Sequence, residues 1–328
     1  MKNKTVLVTG GTGSWGHELV KQLLETNVKE VRIYSRNESL QFKMQKQFKD
    51  NKRLTFIIGD IRDSEQLTNA CRGVDYIFHL AALKHVPICE FYPSEAMKTN
   101  VEGTKNVITA ATYNQVEKVI YVSTDKAADP SNTYGMTKAL GERFIIQANV
   151  KQTNTKFICV RAGNVLGTAG SVVPLFKKQI EEDSQITLTD RHMTRFFLTV
   201  ESAIKLLFKV IKEGQGGEIF VTKMPACKIQ DLAEVLIEDS GRTKIQINEL
   251  GIRPGEKLTE ILLSEEESRA SKHFDEDYFV ILPTIPIAGL QEHYTEYTPL
   301  GIGGYRSDQE LISKDEVRYL LKQGGFIS

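Results

Sequence analysis

Five side chains with acid–base potential stand together in the middle of the chain. Thr124, Asp125 and Lys126 bring a hydroxyl, a carboxyl and an amine directly after an apolar, β-branched run that predicts a buried strand. Tyr134 and Lys138 follow four residues apart at a predicted helix start, which places them on one helix face. An ammonium beside a phenol favours the phenolate and lowers the tyrosine pKa. The alternative is a surface loop with an ordinary helical Tyr/Lys pair, and the position after a buried strand favours catalysis.

The N-terminal segment has the pattern of a dinucleotide-binding turn. An apolar run, Thr5–Thr9, predicts a strand, and a glycine-rich loop and a helical apolar pattern follow it. Glycines permit a tight turn and the close approach of a pyrophosphate, which rests on the helix N-terminus. We interpret the loop residues as cofactor ligands: Gly10, Thr12, Gly13, Ser14, Trp15 and Gly16.

The residues after the second predicted strand bear on the choice of cofactor. This strand, predicted over 30–34, ends at Ser35, Arg36 and Asn37. A site that prefers NAD usually has an acidic residue here for the ribose 2′-hydroxyl, whereas Ser35 and Arg36 suit a 2′-phosphate. The sequence therefore favours NADP, with a solvated surface charge as the other interpretation of Arg36.

The order of the predicted elements indicates the fold class. Strands and helices alternate up to about residue 165, which predicts an α/β protein with a doubly wound, parallel sheet of the Rossmann type. Four more strands are predicted, at 54–58, 75–79, 118–124 and 156–160, and a long helix at 94–113. Ligands of such sheets bind beyond the carboxyl ends of the strands. Further candidate residues fall at those ends: Asp60, Ala81, Ala82, Lys84 and Asn164.

The pattern changes after about residue 170. Helical stretches there mix with short strands and with charged loops that contain glycine. We predict an NADP-binding Rossmann domain over 1–170 and a mainly substrate-binding lobe over 171–328, with some exchange of segments between them.

The bulk composition excludes several classes of function. Lys and Arg together number 42, as do Asp and Glu, so no basic field predicts binding to nucleic acid or to an anionic membrane. We find neither an apolar run of about 18 residues nor a signal-peptide layout, and we expect a cytoplasmic protein. The 4 cysteines and 6 histidines lack metal-ligand spacing, so we expect no metal site.

These motifs resemble those of the extended short-chain dehydrogenases/reductases, and within them the soluble UDP-N-acetylglucosamine 4,6-dehydratases of bacterial surface-sugar pathways. The general family is similar in the glycine loop and in Gly59–Asp60, Leu80–Ala82, Thr99–Asn100 and the Tyr134/Lys138 pair. The dehydratases are similar in five further blocks: Ala82–Pro87, Ser123–Ala128, Gly170–Pro174, Met193–Phe196 and Arg253–Lys257.

The resemblance implies ligands beyond those that the patterns suggest. Ile61 and Thr99 would join the NADP site, together with Lys84, Tyr134 and Lys138. UDP-N-acetylglucosamine would be held by six residues: Lys84, Asn164, Val173, Arg195, Arg253 and Glu256. For Arg195 and Arg253 the other interpretation is a solvated charge, and their spacing does not separate the two. Relatives of this kind assemble, so a homo-oligomer is expected.

The resemblance also implies the roles of the five catalytic candidates. Tyr134 would take the proton of the sugar O4 while hydride leaves C4, with Lys138 lowering its pKa and Thr124 bonding the reacting oxygen. Lys126 would take the C5 proton, and Asp125 would protonate the departing C6 hydroxyl. A lysine base must be neutral, which we expect burial or neighbouring cations such as Lys84 and Lys138 to promote.

Two features of the sequence leave alternatives open. Relatives that invert C5 carry Tyr and Arg where this chain has Ala162 and Ala169, which favours retention, although Tyr305 or Asp308 could restore a proton donor. Two other functions remain as alternatives. A UDP-sugar 4-epimerase would use the same Tyr134 and cofactor without the Asp125–Lys126 acid–base pair. An NADP-binding regulator would keep the glycine loop and lose the tyrosine, which this chain retains.

Overall fold

The computed structural model describes residues 1–151, 154–168, 170–301 and 303–327. Its strands are β1 Thr5–Thr9, β2 Glu30–Ser35, β3 Leu54–Ile58, β4 Tyr76–His79, β5 Lys118–Val122, β6 Lys156–Arg161, β7 Asn164–Val165, β8 Gln185–Leu188, β9 Thr194–Leu198, β10 Ile219–Thr222, β11 Ala226–Lys228, β12 Gln246–Glu249, β13 Ile261–Leu263, β14 Ser271–His273, β15 Tyr278–Ile281 and β16 Tyr305–Arg306.

The helices alternate with the strands in the first half and are more irregularly spaced in the second. They are α1 Ser14–Glu25, α2 Glu38–Gln47, α3 Ser64–Ala70, α4 Val86–Phe91, α5 Pro93–Ala96, α6 Gly103–Tyr113, α7 Thr133–Ala148, α8 Val172–Glu182, α9 Val200–Glu213, α10 Ile229–Asp239, α11 Glu265–Ser268, α12 Leu290–His293 and α13 Lys314–Gln323.

A nine-stranded sheet forms the centre of the molecule, in the order β14-β15-β10-β6-β5-β4-β1-β2-β3. The strands from β10 to β3 in this order are parallel, and β15 and β14 continue the sheet antiparallel. Strand order reverses between β1 and β4, which is where ligands bind in open sheets of this kind. The predicted α/β fold of the Rossmann type is confirmed.

Helices cover this sheet because its central strands are apolar on both sides. Val6, Val8, Ile120 and Ile158 are fully buried. Helices α1 and α9 pack together, and α3, α6 and α7 pack in succession. Burial of this apolar surface, worth about 25 cal/mol per Å², is what holds the strand ends in place.

The helix predicted over 94–113 is interrupted by a π-helical turn at Met97–Glu102. Asn100 is buried in this turn, and its amide bonds both backbone groups of Leu83 at 2.8 and 2.9 Å. A further bond of 3.0 Å reaches Thr137 on α7. The turn therefore joins the loop after β4 to the helix that carries Tyr134.

The second half of the chain forms smaller sheets and returns to the large one. Strands β11, β9 and β7 form one small sheet, and β12 pairs with β8 over a separate apolar cluster. Strands β10, β14 and β15 belong to the central sheet, so segments are exchanged between the halves. The domain boundary at residue 170 stays a prediction, as does the cytoplasmic location. Among the described residues, no helix has the length and apolar character needed to cross a bilayer.

Candidate active site

The glycine loop makes a turn that side chains would obstruct. Gly10 has φ of 69°, and a Cβ there would lie 2.9 Å from the backbone of Ala81. A Cβ on Gly16 would lie 2.5 Å from the backbone of Gly11. Gly13 is the N-cap of α1, and no described side chain caps that helix end. The N-terminus of α1 therefore lies at the loop, as a pyrophosphate site requires.

The buried side chain of His79 contacts the end of β1, where the glycine loop begins. The Nδ1 of His79 lies 2.7 Å from the Thr9 hydroxyl, and its Nε2 lies 3.1 Å from the Thr104 hydroxyl. Burial lowers the pKa of His79 to about 3, so the ring stays neutral. The Thr9 hydroxyl also accepts a hydrogen bond from the N–H of Ala81 at 3.3 Å.

The residues proposed for the cofactor all line two adjoining cavities. One, of about 190 Å³, is lined by Thr12, Ser35, Arg36, Asn37, Asp60, Ile61 and Thr99. The other, of about 450 Å³, is lined by Gly13, Ser14, Trp15, Gly16, Lys84, Tyr134 and Lys138. Gly10, Ala81 and Ala82 line both cavities. The structure thus forms an elongated cleft along the carboxyl ends of the strands.

Arg36 stands at the outer end of this cleft. Its side chain is half-exposed, and Nη1 lies 3.8 Å from Asp60 Oδ2. Asp60 is held more closely by Arg62, at 2.6 Å. The Asn37 side chain accepts a hydrogen bond from the N–H of Leu40 at 2.9 Å, so it caps α2. The guanidinium of Arg36 is therefore the group best placed to receive an added anion here.

The catalytic candidates meet where β5 ends. The strand ends at Val122, two residues before its predicted end at Thr124. The Thr124 hydroxyl donates to Asp125 Oδ1 at 2.8 Å, and Lys126 Nζ lies 3.0 Å from the same oxygen. Helix α7 begins beside them. Glycine at position 135 permits this close approach, since a Cβ there would lie 2.2 Å from the carbonyl oxygen of Lys126.

The protonation of Tyr134 differs from the expectation for a Tyr/Lys pair. Burial raises the pKa of Tyr134 to about 12, and the Lys126 ammonium and the Thr124 hydroxyl oppose this rise. The Nζ of Lys138 lies over the ring of Tyr121, 3.8 Å from the centroid. Burial lowers the pKa of Lys138 itself to about 7.

The expectation that Lys126 is neutral is wrong for this structure. Its Nζ also lies 3.0 Å from Oε1 of Glu260, which motif analysis missed. Burial alone would lower the pKa of Lys126, but the charges of Asp125 and Glu260 outweigh it and hold that pKa above its ordinary value. Lys126 is therefore an ammonium in the resting protein.

A third cavity, of about 330 Å³, adjoins the catalytic residues on the side of the second lobe. Five of the six residues proposed for the substrate line it: Lys84, Asn164, Arg195, Arg253 and Glu256. Val173 does not line it, because this side chain is fully buried in the apolar cluster of the second lobe. Its neighbour Val172 lines the cavity in its place.

Arg195 is buried and already has partners in the protein. Its guanidinium donates to the carbonyl oxygens of Thr194 and Lys257 at 2.7 and 2.8 Å, and its Nε lies 3.4 Å from Glu260. Diphosphate binding by Arg195 stays a prediction: its guanidinium lines the cavity and also holds the loop that carries Arg253. Arg253 is half-exposed, 3.9 Å from Glu256, and is the freer cation.

The two residues considered as extra proton donors do not line this cavity. The Tyr305 hydroxyl donates to the carbonyl oxygen of Met224 at 2.8 Å and accepts from its N–H at 2.9 Å. Asp308 pairs with Arg306 at 2.8 Å. Ala162 lines the cofactor cleft, and Ala169 lies outside the described residues.

A buried ion cluster anchors the helix that carries Tyr134 and Lys138. The guanidinium of Arg161, at the end of β6, bonds both carboxylate oxygens of Glu142 on α7 at 2.8 and 2.7 Å. It also bonds both oxygens of Glu267 at 2.8 and 2.7 Å. Such two-sided bidentate pairing fixes the rotation of α7 relative to the sheet.

The fold and this arrangement of Tyr134, Lys138 and the glycine loop together define an extended short-chain dehydrogenase/reductase. Residues 6–282 match the model of the family described as polysaccharide biosynthesis protein, and the chain belongs to that family.

The similar proteins are named for two different reactions, dehydration and epimerisation. The chain is 44% identical over 286 residues to a UDP-N-acetylglucosamine 4,6-dehydratase (inverting) of Campylobacter jejuni, covering 86% of this chain and 84% of that protein. It is 42% identical over 301 residues to a UDP-glucose 4-epimerase of Rickettsia rickettsii, covering 90% and 86%. The X-ray structure of Pen from Bacillus thuringiensis matches with a TM-score of 0.93 at 40% identity, covering 100% of this chain and 99% of that one.

Proposed function

We propose that the protein is an NADP-dependent UDP-N-acetylglucosamine 4,6-dehydratase that makes a UDP-4-keto-6-deoxy-N-acetylhexosamine. The observation that carries this proposal is the position of Lys126, which lines both the cofactor cleft and the substrate cavity and contacts Asp125 at 3.0 Å. Elimination of water needs an acid and a base for C6 and C5, whereas a 4-epimerase needs only the proton transfer at O4 that Tyr134 provides.

The residues present fit a nicotinamide dinucleotide. Any Cβ at Gly10 or Gly16 would obstruct the turn, and no described side chain caps the N-terminus of α1. Ser35 and Arg36 stand where a ribose 2′-phosphate would lie, which supports NADP. The bound nicotinamide would accept hydride from C4 and return it to C6.

The side chains of this chain would move the protons. Tyr134 would take the O4 proton as the phenolate, the form that the Lys126 ammonium and the Thr124 hydroxyl favour, with Lys138 available to hold the ribose. Asp125 is positioned to protonate the C6 hydroxyl as it leaves. Lys126 can take the C5 proton once one of its own protons has passed to a carboxylate in contact with it.

For the sugar nucleotide, the charges of the cavity support a UDP-sugar. Arg253 and Lys84 line it as cations, and Asn164 and Glu256 offer hydrogen-bonding groups. Lys126 beside C5 supports the return of the proton to the face from which it came. We therefore propose retention at C5, since Tyr305 and Asp308 do not line the cavity. The name of the Campylobacter jejuni relative favours inversion instead.

A proton spectrum of the pure protein with NADP and UDP-N-acetylglucosamine tests the reaction. A new C6 methyl doublet is expected for the dehydratase. A new hexose without a methyl signal would identify the second candidate, a 4-epimerase, which the name of the Rickettsia relative favours. Deuterium at C5 and the H5 coupling in the first-formed product, with D₂O as solvent, distinguish retention from inversion.

We also propose a homo-oligomer. Large apolar side chains are exposed along α4 and α7, with Phe91 82% exposed and Met136 54% exposed. Neighbouring exposed side chains include Ile88 and Leu140. Patches of this kind mark protein–protein contacts. Light scattering that gives a monomer mass would exclude the assembly.

A further inference from the structure

The ammonium of Lys126 has two carboxylate partners, although one would neutralise it. Oδ1 of Asp125 and Oε1 of Glu260 each lie 3.0 Å from Nζ. Both carboxyl side chains are almost completely buried, at 1% and 4% exposed. Because the two buried carboxylates compete for the Lys126 ammonium, the one with less support from other cations is favoured to hold a proton.

The surroundings decide which carboxyl holds the proton. Glu260 has a second cation, because Arg195 Nε lies 3.4 Å from Oε1, and Lys257 adds a more distant positive charge. These cations keep the pKa of Glu260 below its ordinary value although burial opposes them. Asp125 faces Lys126, Thr124, Tyr134 and Glu260, and burial followed by the Glu260 charge raises its pKa.

The two oxygens of Asp125 differ: the hydrogen bonds to Oδ1 favour the carboxylate, and Oδ2 is left to carry a proton. Oδ1 accepts from the Thr124 hydroxyl and from Lys126 Nζ. Oδ2 is buried and has no hydrogen-bond partner among the described residues. A protonated Oδ2 would be a donor awaiting an acceptor, such as the oxygen of a departing hydroxyl group.

We propose that Glu260 is a positioning residue that keeps a proton on Asp125, by providing the ionised partner of Lys126 in its place. This inference rests on the proposed dehydratase function and adds to it a residue outside the Asp125–Lys126 pair. Without Glu260, Asp125 would become the sole counterion of Lys126. Acid and base would then form an ion pair, and a proton would have to pass from Lys126 to Asp125 before either could act, which slows elimination.

Glu260 is also fixed from outside the catalytic cluster. Its N–H donates to the Ser307 hydroxyl at 3.0 Å, and its carbonyl oxygen accepts from the Ser307 N–H at 3.0 Å. Ser307 is completely buried and its hydroxyl lies 2.8 Å from that of Thr194. The second lobe thus holds this carboxylate rigidly against a lysine that belongs to the Rossmann sheet.

The test compares Glu260→Gln, Glu260→Asp and the control Asp308→Asn in the full chain with NADP and UDP-N-acetylglucosamine. Asp308→Asn removes a carboxylate from a neighbouring segment that does not touch Lys126. Reduced-nicotinamide absorbance reports oxidation at C4, and the methyl signal reports elimination, each followed from about pH 6 to about pH 10.

We expect Glu260→Gln to oxidise C4 within about twofold of the parent rate and to eliminate roughly 10–100-fold more slowly at neutral pH. Its elimination should decline on the alkaline side at least about one pH unit earlier, because Asp125 loses its proton more readily. Glu260→Asp should keep the parent pH profile at a lower rate, and the control should behave like the parent protein.

Two results would overturn the inference while leaving the function standing. One is elimination by Glu260→Gln with an unshifted alkaline limit, which describes a merely structural side chain. The other is the same shift in Glu260→Asp, which keeps the carboxylate. If the parent protein forms no methyl product at all, the proposed function itself fails.

Discussion

The hydroxyl of Thr124 donates a 2.8 Å hydrogen bond to Oδ1 of Asp125. Thr124 lies beside Tyr134, which serves the oxidation of C4, and Asp125 contacts Lys126, which serves the elimination. The side chains for the two half-reactions therefore belong to one hydrogen-bond network. A change at one end can therefore affect the protonation of the other, and separate tests of the two half-reactions are needed.

The first prediction separates these half-reactions. Tyr134→Phe removes the group that takes the O4 proton, so no reduced nicotinamide should accumulate when substrate is added. Lys126→Gln is one atom shorter and keeps a hydrogen-bond donor but not the basicity, so C4 oxidation should continue while methyl formation falls by roughly 10²–10⁴-fold. Stopped-flow absorbance and proton spectra measure the two signals. Parent-rate turnover by Lys126→Gln would place the C5 base elsewhere.

The second prediction concerns cofactor choice. Arg36→Ala should weaken NADP binding by roughly 2–3 kcal/mol, the usual size of a charge-assisted contact, and leave NAD affinity nearly unchanged. Calorimetric titration of both dinucleotides measures this. Arg62→Ala is the matched control, since that guanidinium pairs with Asp60 and Glu95. Equal losses for NADP and NAD in the Arg36 variant would remove it from the 2′-phosphate.

The third prediction follows from the lowered pKa of Lys138. Its pKa is about 7 in the folded protein and ordinarily 10.5, so the unfolded chain binds more protons between these values. The free energy of unfolding should therefore rise as pH increases from about 7 to about 10. Below about pH 7 Lys138 is charged in both states, and the full cost of burying its charge remains. Lys138→Met should lose that rise.

Urea unfolding of the parent and of Lys138→Met, without cofactor, checks the sign of this effect. The difference in unfolding free energy between the two proteins should favour the variant most at low pH and shrink as pH rises. A difference that does not change with pH would contradict the assignment of a low pKa to Lys138.

The fourth prediction addresses the buried cluster of Arg161, Glu142 and Glu267. Arg161→Met should cost about 3–5 kcal/mol, because it leaves two buried carboxylates without their cation. The triple variant Arg161→Met, Glu142→Gln, Glu267→Gln should recover part of this loss. Urea unfolding measures both. Stability of the single variant equal to that of the parent would show that the cluster does not hold α7.

Local patterns predicted the fold and the general place of the site. The glycine loop lies between β1 and α1, and the residues placed at strand ends line the cofactor cleft, since the alternation of elements sets which ends meet. Lys126 and Asp125 were found from their position after an apolar run.

Local sequence patterns do not predict contacts between residues that are far apart in the sequence. Glu260 follows no motif, and only the folded chain brings it to Lys126. The resemblance proposed Arg195 for diphosphate, and only the folded chain shows that its guanidinium also bonds backbone carbonyl oxygens. The pKa of Tyr134 was misjudged because spacing on a helix shows neighbours and not the depth of burial. Val173 was misplaced because adjacent helical residues point in different directions.

The return of β10, β14 and β15 to the central sheet has a consequence for biosynthesis. On the ribosome, the edge of β6 is complete long before the strand that covers it has been made, since β10 begins at Ile219. Chains grow at about 5–20 residues per second, so this apolar edge stays uncovered for seconds. Such an edge pairs readily with other chains. Nascent copies of this protein would therefore expose an edge open to strand pairing until the second half emerges.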